Sequence, residues 1–261
     1  MTHSSDALRR PRVLAGVAGR AARVLTTAAC ALALSVGAVA VSPSSAYADD
    51  AITTQDYFSY YKLDQARAKG DTGKGVTIAM IDGPVDTSAP ELAGANITVK
   101  TPCEFEARTR SKLHATAVAS ILVSKNYGLA PDATLIAYAH ADSSEEGTRK
   151  CKKLDASDSV AGLIQTAIND GAQIISISTV AWHQNDQDKW AIARAMAQGV
   201  IVVAGMGNDA KEENDITYAR WSGTVGVSAI GTDGQLSSYS SWGQGVVAAG
   251  VGGPIKARDY D

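Results

Sequence analysis

The sequence predicts an α/β fold built on a mainly parallel sheet, and two observations carry that prediction. Short apolar runs at residues 76–81, 134–139, 173–178, 200–204, 225–230 and 246–249 have strand composition with little polar alternation, as strands covered on both faces require. Helical patterns lie between the first four of these runs, long enough for the right-handed crossovers that join parallel neighbours. In such sheets functional groups gather beyond the carboxyl ends of the strands.

The chain's first segment sets its expected compartment. Residues 1–23 hold five arginines and no lysine, residues 24–41 are largely apolar, and Ala46-Tyr47-Ala48 precedes Asp49 and Asp50. This order of charge, apolar run and small-x-small site is that of an export signal, so residues 1–48 are read as a signal peptide cleaved after Ala48. The competing reading, a retained anchor, rests on a run nearly long enough to span a bilayer. Taking the signal's five arginines and one aspartate from 24 basic and 27 acidic residues leaves 19 and 26, a net charge of −7. Such a surface argues against nucleic acid as the main partner, because phosphate binding needs clustered Lys and Arg.

The remaining 213 of 261 residues suffice for one domain with a sizeable core. Cys30 leaves with the signal, and Cys103 and Cys151 are then the only thiols in a chain bound for an oxidising space. A disulfide between them is expected, stabilising the fold by about 4 kcal/mol on the chain-entropy model; two buried unpaired cysteines are the alternative.

Two helices are well signed. In residues 157–170 the apolar positions Val160, Leu163, Ile164, Ala167 and Ile168 fall on one face, with Ser157 or Asp158 as N-cap and Gly171 past the end. Residues 185–198 repeat the device, with Trp190, Ala193 and Met196 on one side and Gly199 as the stop.

Asp82 is the first charged side chain at the carboxyl end of the run at 76–81, directly before Gly83-Pro84. A carboxylate there is either desolvated and paired or a turn residue. A paired catalytic carboxylate needs a histidine, and past Ala48 there are only His114, His140 and His183. His114 opens a small-residue stretch read as a helix start, whereas His140 ends a strand and His183 follows Trp182 in an expected loop.

Six segments in order resemble the subtilisin-like serine proteases, the subtilases. GKGVTIAMID (73–82) resembles the family's aspartate strand, and HATAVASIL (114–122) its HGTHVAGI helix. GLAPDATLIAYA (128–139) is similar to the GVAP segment, and DGAQIISIS (170–178) to the strand that lines the substrate cleft. VIVVAGMGND (200–209) resembles the segment ending in the oxyanion-hole asparagine, and SSYSSWGQGVVAAG (237–250) the approach to the nucleophile. The resemblance implies a three-layer sandwich with a mainly parallel central sheet, a 49–71 N-terminal extension and a peptidase domain from 72 to 261. It makes Asp82 and His114 catalytic, Asn208 the oxyanion donor, and Ser176 and Ser178 substrate-binding. Asp82 would fix the imidazole tautomer, and His114 would take the nucleophile's proton.

The pattern also departs from the family. Gly250 is followed by VGGPIKARDYD, with no GTSMAxP-like motif, so no nucleophilic serine can be named and the fold is expected to be incomplete at its C-terminal end. Such a chain is expected not to hydrolyse peptides and to expose apolar sheet. Ala115, Ala117 and Ser120 stand where the family's histidine motif has Gly, His and Gly, and Thr179-Val180 where the cleft strand has Leu-Gly. The expected partner is a polypeptide substrate bound by a secreted monomer with no stable membrane association. No cofactor is expected; structural calcium is common in the family, but no residue here can be assigned to it. A pseudoprotease that binds peptides by strand addition is the alternative. A nucleotide site at Gly70-Asp71-Thr72-Gly73-Lys74-Gly75 is set aside, because it lacks Ser or Thr after the lysine and precedes its strand.

Overall fold

The computed structural model describes residues 51–141, 145, 148–151, 159–179, 185–215 and 217–258, all within the unit Ser44–Asp261. The signal peptide expected at 1–48, His183 and Val180 lie outside the described residues. Two short helices, α1 (Asp56–Tyr60) and α2 (Leu63–Ala68), occupy the N-terminal extension and lead into β1 (Thr77–Asp82). Then follow β2 (Asn96–Lys100), α3 (Thr109–Val123), β3 (Thr134–Ala139), α4 (Val160–Asn169), β4 (Ile174–Ile177), α5 (Asp186–Ala197), β5 (Ile201–Gly205), β6 (Thr224–Ile230) and β7 (Val246–Val251). The seven strands form one sheet in the order β2-β3-β1-β4-β5-β6-β7, and every pairing is parallel. Among the described residues no helix is long and apolar enough to cross a membrane.

Period-two alternation sorts the strand side chains between two layers. Ala79 and Ile81 of β1, Ile136 and Tyr138 of β3, Ile175 and Ile177 of β4, and Val202 and Ala204 of β5 pack under α4 and α5. On the opposite face Ile78, Met80, Leu135 and Ala137 meet Ala115, Ala119 and Val123 of α3. That second layer is narrower: on this face Ile201 of β5 is 52% exposed.

Four details depart from the sequence reading. The buried face of α5 is Asp188, Ala191, Ile192 and Ala195, whereas Trp190 is 59% exposed and Met196 is exposed too. Ala191 and Ala195 let the helix settle on the sheet with Ile192 packed between them, and Trp190 and Met196 are left outside. The N-cap of α4 is Ser159, whose Oγ accepts from Gly162 N at 3.1 Å, while Ser157 and Asp158 lie outside the described residues. Helix α3 begins at Thr109, which places His114 in its second turn and not at its start. β2 was not anticipated, since it is an edge strand with mostly exposed side chains.

Two long-range ties complete the fold. Cys103 and Cys151 are joined by a disulfide with Cα atoms 5.7 Å apart, closing a covalent ring around α3 and β3. At the other tie, the buried Gln55 amide donates to Lys256 O at 2.7 Å and accepts from Lys256 N at 2.9 Å. Beside it Arg258 donates to Glu91 Oε1 at 2.8 Å, and Ile52 N donates to the same oxygen at 3.0 Å. Burial alone would raise the Glu91 carboxyl, but these hydrogen bonds hold it below the usual carboxylate range.

Candidate active site

Strand β1 ends at the sheet's switch point, flanked by β3 on one side and β4 on the other. Asp82 is its last residue and pairs in register with Ala139; its backbone carbonyl accepts from His140 N at 2.7 Å. Alternation puts Asp82 on the same face as Ile78 and Met80, which is the face that α3 covers. Helix α3 can come close because it presents the fully buried Ala115 and Ala119 to the strands. Gly83 lets its first turns come closer still. A Cβ on Gly83 would collide with Ser111 Oγ and lie 2.8 Å from Ser111 O.

The result is one short contact between an interior acid and a surface base. Asp82 is 4% exposed, and its Oδ1 lies 2.9 Å from His114 Nδ1. The same oxygen accepts from Gly83 N at 2.7 Å, while Oδ2 is buried with no hydrogen-bond partner among the described residues. An ionised carboxylate can only accept, so the proton of this pair sits on Nδ1, and Nε2 is left as the basic atom. The His114 side chain is 50% exposed. Its hydrogen bond to Asp82 raises the imidazole above its ordinary 6.5, outweighing burial and the charge of Arg110, which both act to lower it.

The other residues named from the sequence are placed around this pair. Ser176 stands beside Met80 in the β1–β4 register, and continuing that register sets Ser178, just past β4, beside Asp82; both are part-buried. Asn208 is exposed, three residues past β5, after a turn at Gly207 with φ of 100°. Its loop is fastened by Ser241, whose N donates to Gly207 O at 3.0 Å and whose Oγ accepts from Asp209 N at 3.1 Å. β4 alone separates β5 from β1, so the two strands lie about 10 Å apart at ordinary strand spacing. No hydrogen bond among the described residues joins Asn208 to Asp82 or His114. Among the described residues no group of three or more His, Cys, Asp or Glu side chains could hold a metal ion.

Sequence reasoning overlooked two neighbours of the pair. Ser111 of α3 packs on Gly83, and Arg110 lies four residues before His114, one helical turn away on the same face. The i, i+4 spacing was the signal for Arg110; the Gly83–Ser111 approach is a tertiary contact with no local signature.

Comparison with known proteins places this geometry in context. Residues 73–257 match the model of the Subtilase family. Subtilisin E of Bacillus subtilis (strain 168) is 26% identical over 226 residues, which cover 80% of this chain and 57% of that protein. A thermostable alkaline protease of Halalkalibacterium halodurans is 29% identical over 194 residues, 71% of this chain and 50% of its own. The chain thus spans about half the length of the curated relatives it matches. Among solved structures, the prenylagaramide maturation protease PagA aligns with a TM-score of 0.56 at 25% identity, covering 70% of this chain and 64% of that one. The psychrophilic subtilisin-like protease Apa1 of Pseudoalteromonas sp. AS-11 aligns at 0.58 and 19% identity over 74% of this chain and 45% of its own, a likeness of fold.

Proposed function

The chain belongs to the subtilase family, and from that premise we propose that it carries the acid–base half of a secreted serine endopeptidase's active site. The carrying observation is the 2.9 Å contact between buried Asp82 and half-exposed His114. In this reading Asp82 orients the ring and stabilises the imidazolium, and His114 Nε2 takes the proton of a serine hydroxyl. Asn208 donates to the oxyanion as it develops, and Ser176 and Ser178 line the path of a polypeptide substrate. No GTSMAxP-like motif to supply that hydroxyl stands among residues 1–261. The second reading is a peptide-binding pseudoprotease. Secretion after cleavage near Ala48 and a monomeric state complete the proposal, with no calcium site assigned.

Two measurements test it. NMR titration of the imidazole is expected to give a pKa above 6.5 that falls in Asp82→Asn; a ring titrating as a free histidine and indifferent to that change would defeat the proposed role. A fluorophosphonate probe is expected to leave the chain unlabelled, and labelling would overturn the claim that it has no activated serine. The coding sequence downstream of Asp261 separates the two readings, since a nucleophile motif there favours the protease and unrelated sequence favours the pseudoprotease.

A further inference from the structure

Helix α3 brings to His114 a charge that the proposed chemistry does not use. Its first turn contains no acidic residue, and Arg110 and Lys112 are exposed near its N-terminal end, where the helix dipole adds positive potential. Residues four apart on a helix have Cβ atoms about 5–6 Å apart on one face, so the Arg110 guanidinium can reach the space beside the imidazole. Two nearby acids are committed. Asp82 is bonded to His114 and Gly83, and Asp86 Oδ1 accepts from Ser88 N at 2.9 Å and from Ser88 Oγ at 2.6 Å. Arg110 itself has no hydrogen-bond or ion-pair partner among the described residues. Lys112 lines a cavity of about 240 Å³ with Asp86, Ala107 and Thr109, which adds room for a side chain beside the same helix.

We propose that Arg110 is a specificity-determining residue, selecting polypeptides that carry an acidic side chain one or two residues from the bond presented to His114. A guanidinium offers a planar fork of donors that matches a carboxylate bidentately, and here it has no competing partner among the described residues. The inference rests on the peptide-binding reading above and sharpens it to a substrate class. The influence of Arg110 on the imidazole agrees with a guanidinium held near the ring.

The test is a fluorescence-anisotropy scan with the full chain. Labelled Ala-rich heptapeptides carry a single Glu at each position in turn, with matched Gln and Lys sets. The expected result is one position at which Glu binds about tenfold tighter than Gln, the range of a charge-assisted bidentate pair, with Lys weakest. Arg110→Gln should abolish the preference, Arg110→Glu should reverse it, and Lys69→Gln, the same charge change on α2's C-cap, should leave it intact. Raising the salt to about 0.5 M should shrink it. Equal binding of the three sets, or a preference that survives Arg110→Gln, overturns the selectivity while leaving the peptide site standing. Failure of every peptide to bind overturns the peptide-site reading and the selectivity with it. Melting curves of the variants confirm that an exposed substitution has left the fold unchanged.

Discussion

The two faces of the sheet are built on different principles. One is covered by α4 and α5 with Leu163, Ile164, Ile192 and the strand isoleucines, fully buried side chains that interlock over four strands. The other is covered by α3, whose buried residues are mostly small, Ala115, Thr116, Ala119 and Ser120 with Val123, and beyond β4 it leaves Ile201 exposed. Aliphatic bulk supplies stability at the cost of distance between layers, and alanine supplies closeness at the cost of buried area. The pair Asp82–His114 lies on the close-packed, thin side, because a 2.9 Å contact between strand and helix cannot be made across a layer of leucines. The stable face holds the sheet in place, and the thin face uses that rigidity.

This contrast can be broken at its strongest point first. Leu163→Ala, and separately Ile192→Ala, should each cost about 2–5 kcal/mol in urea-induced unfolding, the range for deleting a large aliphatic from a packed core; losses below 1 kcal/mol would contradict the division of labour. On the thin face Gly83→Ala should cost about 1–3 kcal/mol, since the new methyl must push α3 outward from Ser111. Its sharper readout is the imidazole, whose pKa should fall back toward 6.5 as the pair separates. Asp82→Asn should show a smaller effect with a pH signature. A raised histidine pKa stabilises the fold fully below the unfolded value of 6.5 and loses that contribution as pH rises through the folded value. The stability gap between Asp82→Asn and the parent should therefore be wider near pH 6 than near pH 9, by less than about 1 kcal/mol because the imidazole is half exposed. Smallest of all, Trp190→Ala should shift stability by no more than about 0.5 kcal/mol, although it removes the largest side chain of α5.

Much of this architecture is visible in the sequence, and the reasons differ by element. Strands buried on both faces read as continuous apolar runs, so β1, β3, β4 and β5 stand out, and α4 declares itself by its spacing. Asp82 and His114 are each visible from position and from the scarcity of histidines. Their contact follows only once strand alternation and helix packing are combined. Helix α5 misleads because hydrophobic size is not burial: Trp190 and Met196 draw the eye, yet Ala191 and Ala195 fit the sheet. The true start of α3 is concealed by polar residues 109–112, of which Thr109, Arg110 and Lys112 are exposed, and which carry no apolar period. β2 is concealed because an edge strand has no need to be apolar on both faces.

The tie between Gln55 and Lys256 has a consequence in time. Its partners are 201 positions apart, and the entropy of bringing such distant points together must be met before their hydrogen bonds return anything. The clasp therefore closes after the sheet has assembled and brought both ends together beside α3, and it is expected to open before the sheet does. In native-state hydrogen exchange the amides of residues 251–258 should exchange through a low-energy local opening, while those of β1 and β4 should wait for global unfolding. The sheet keeps Asp82 in place throughout, and the seam is expected to open before the candidate site does.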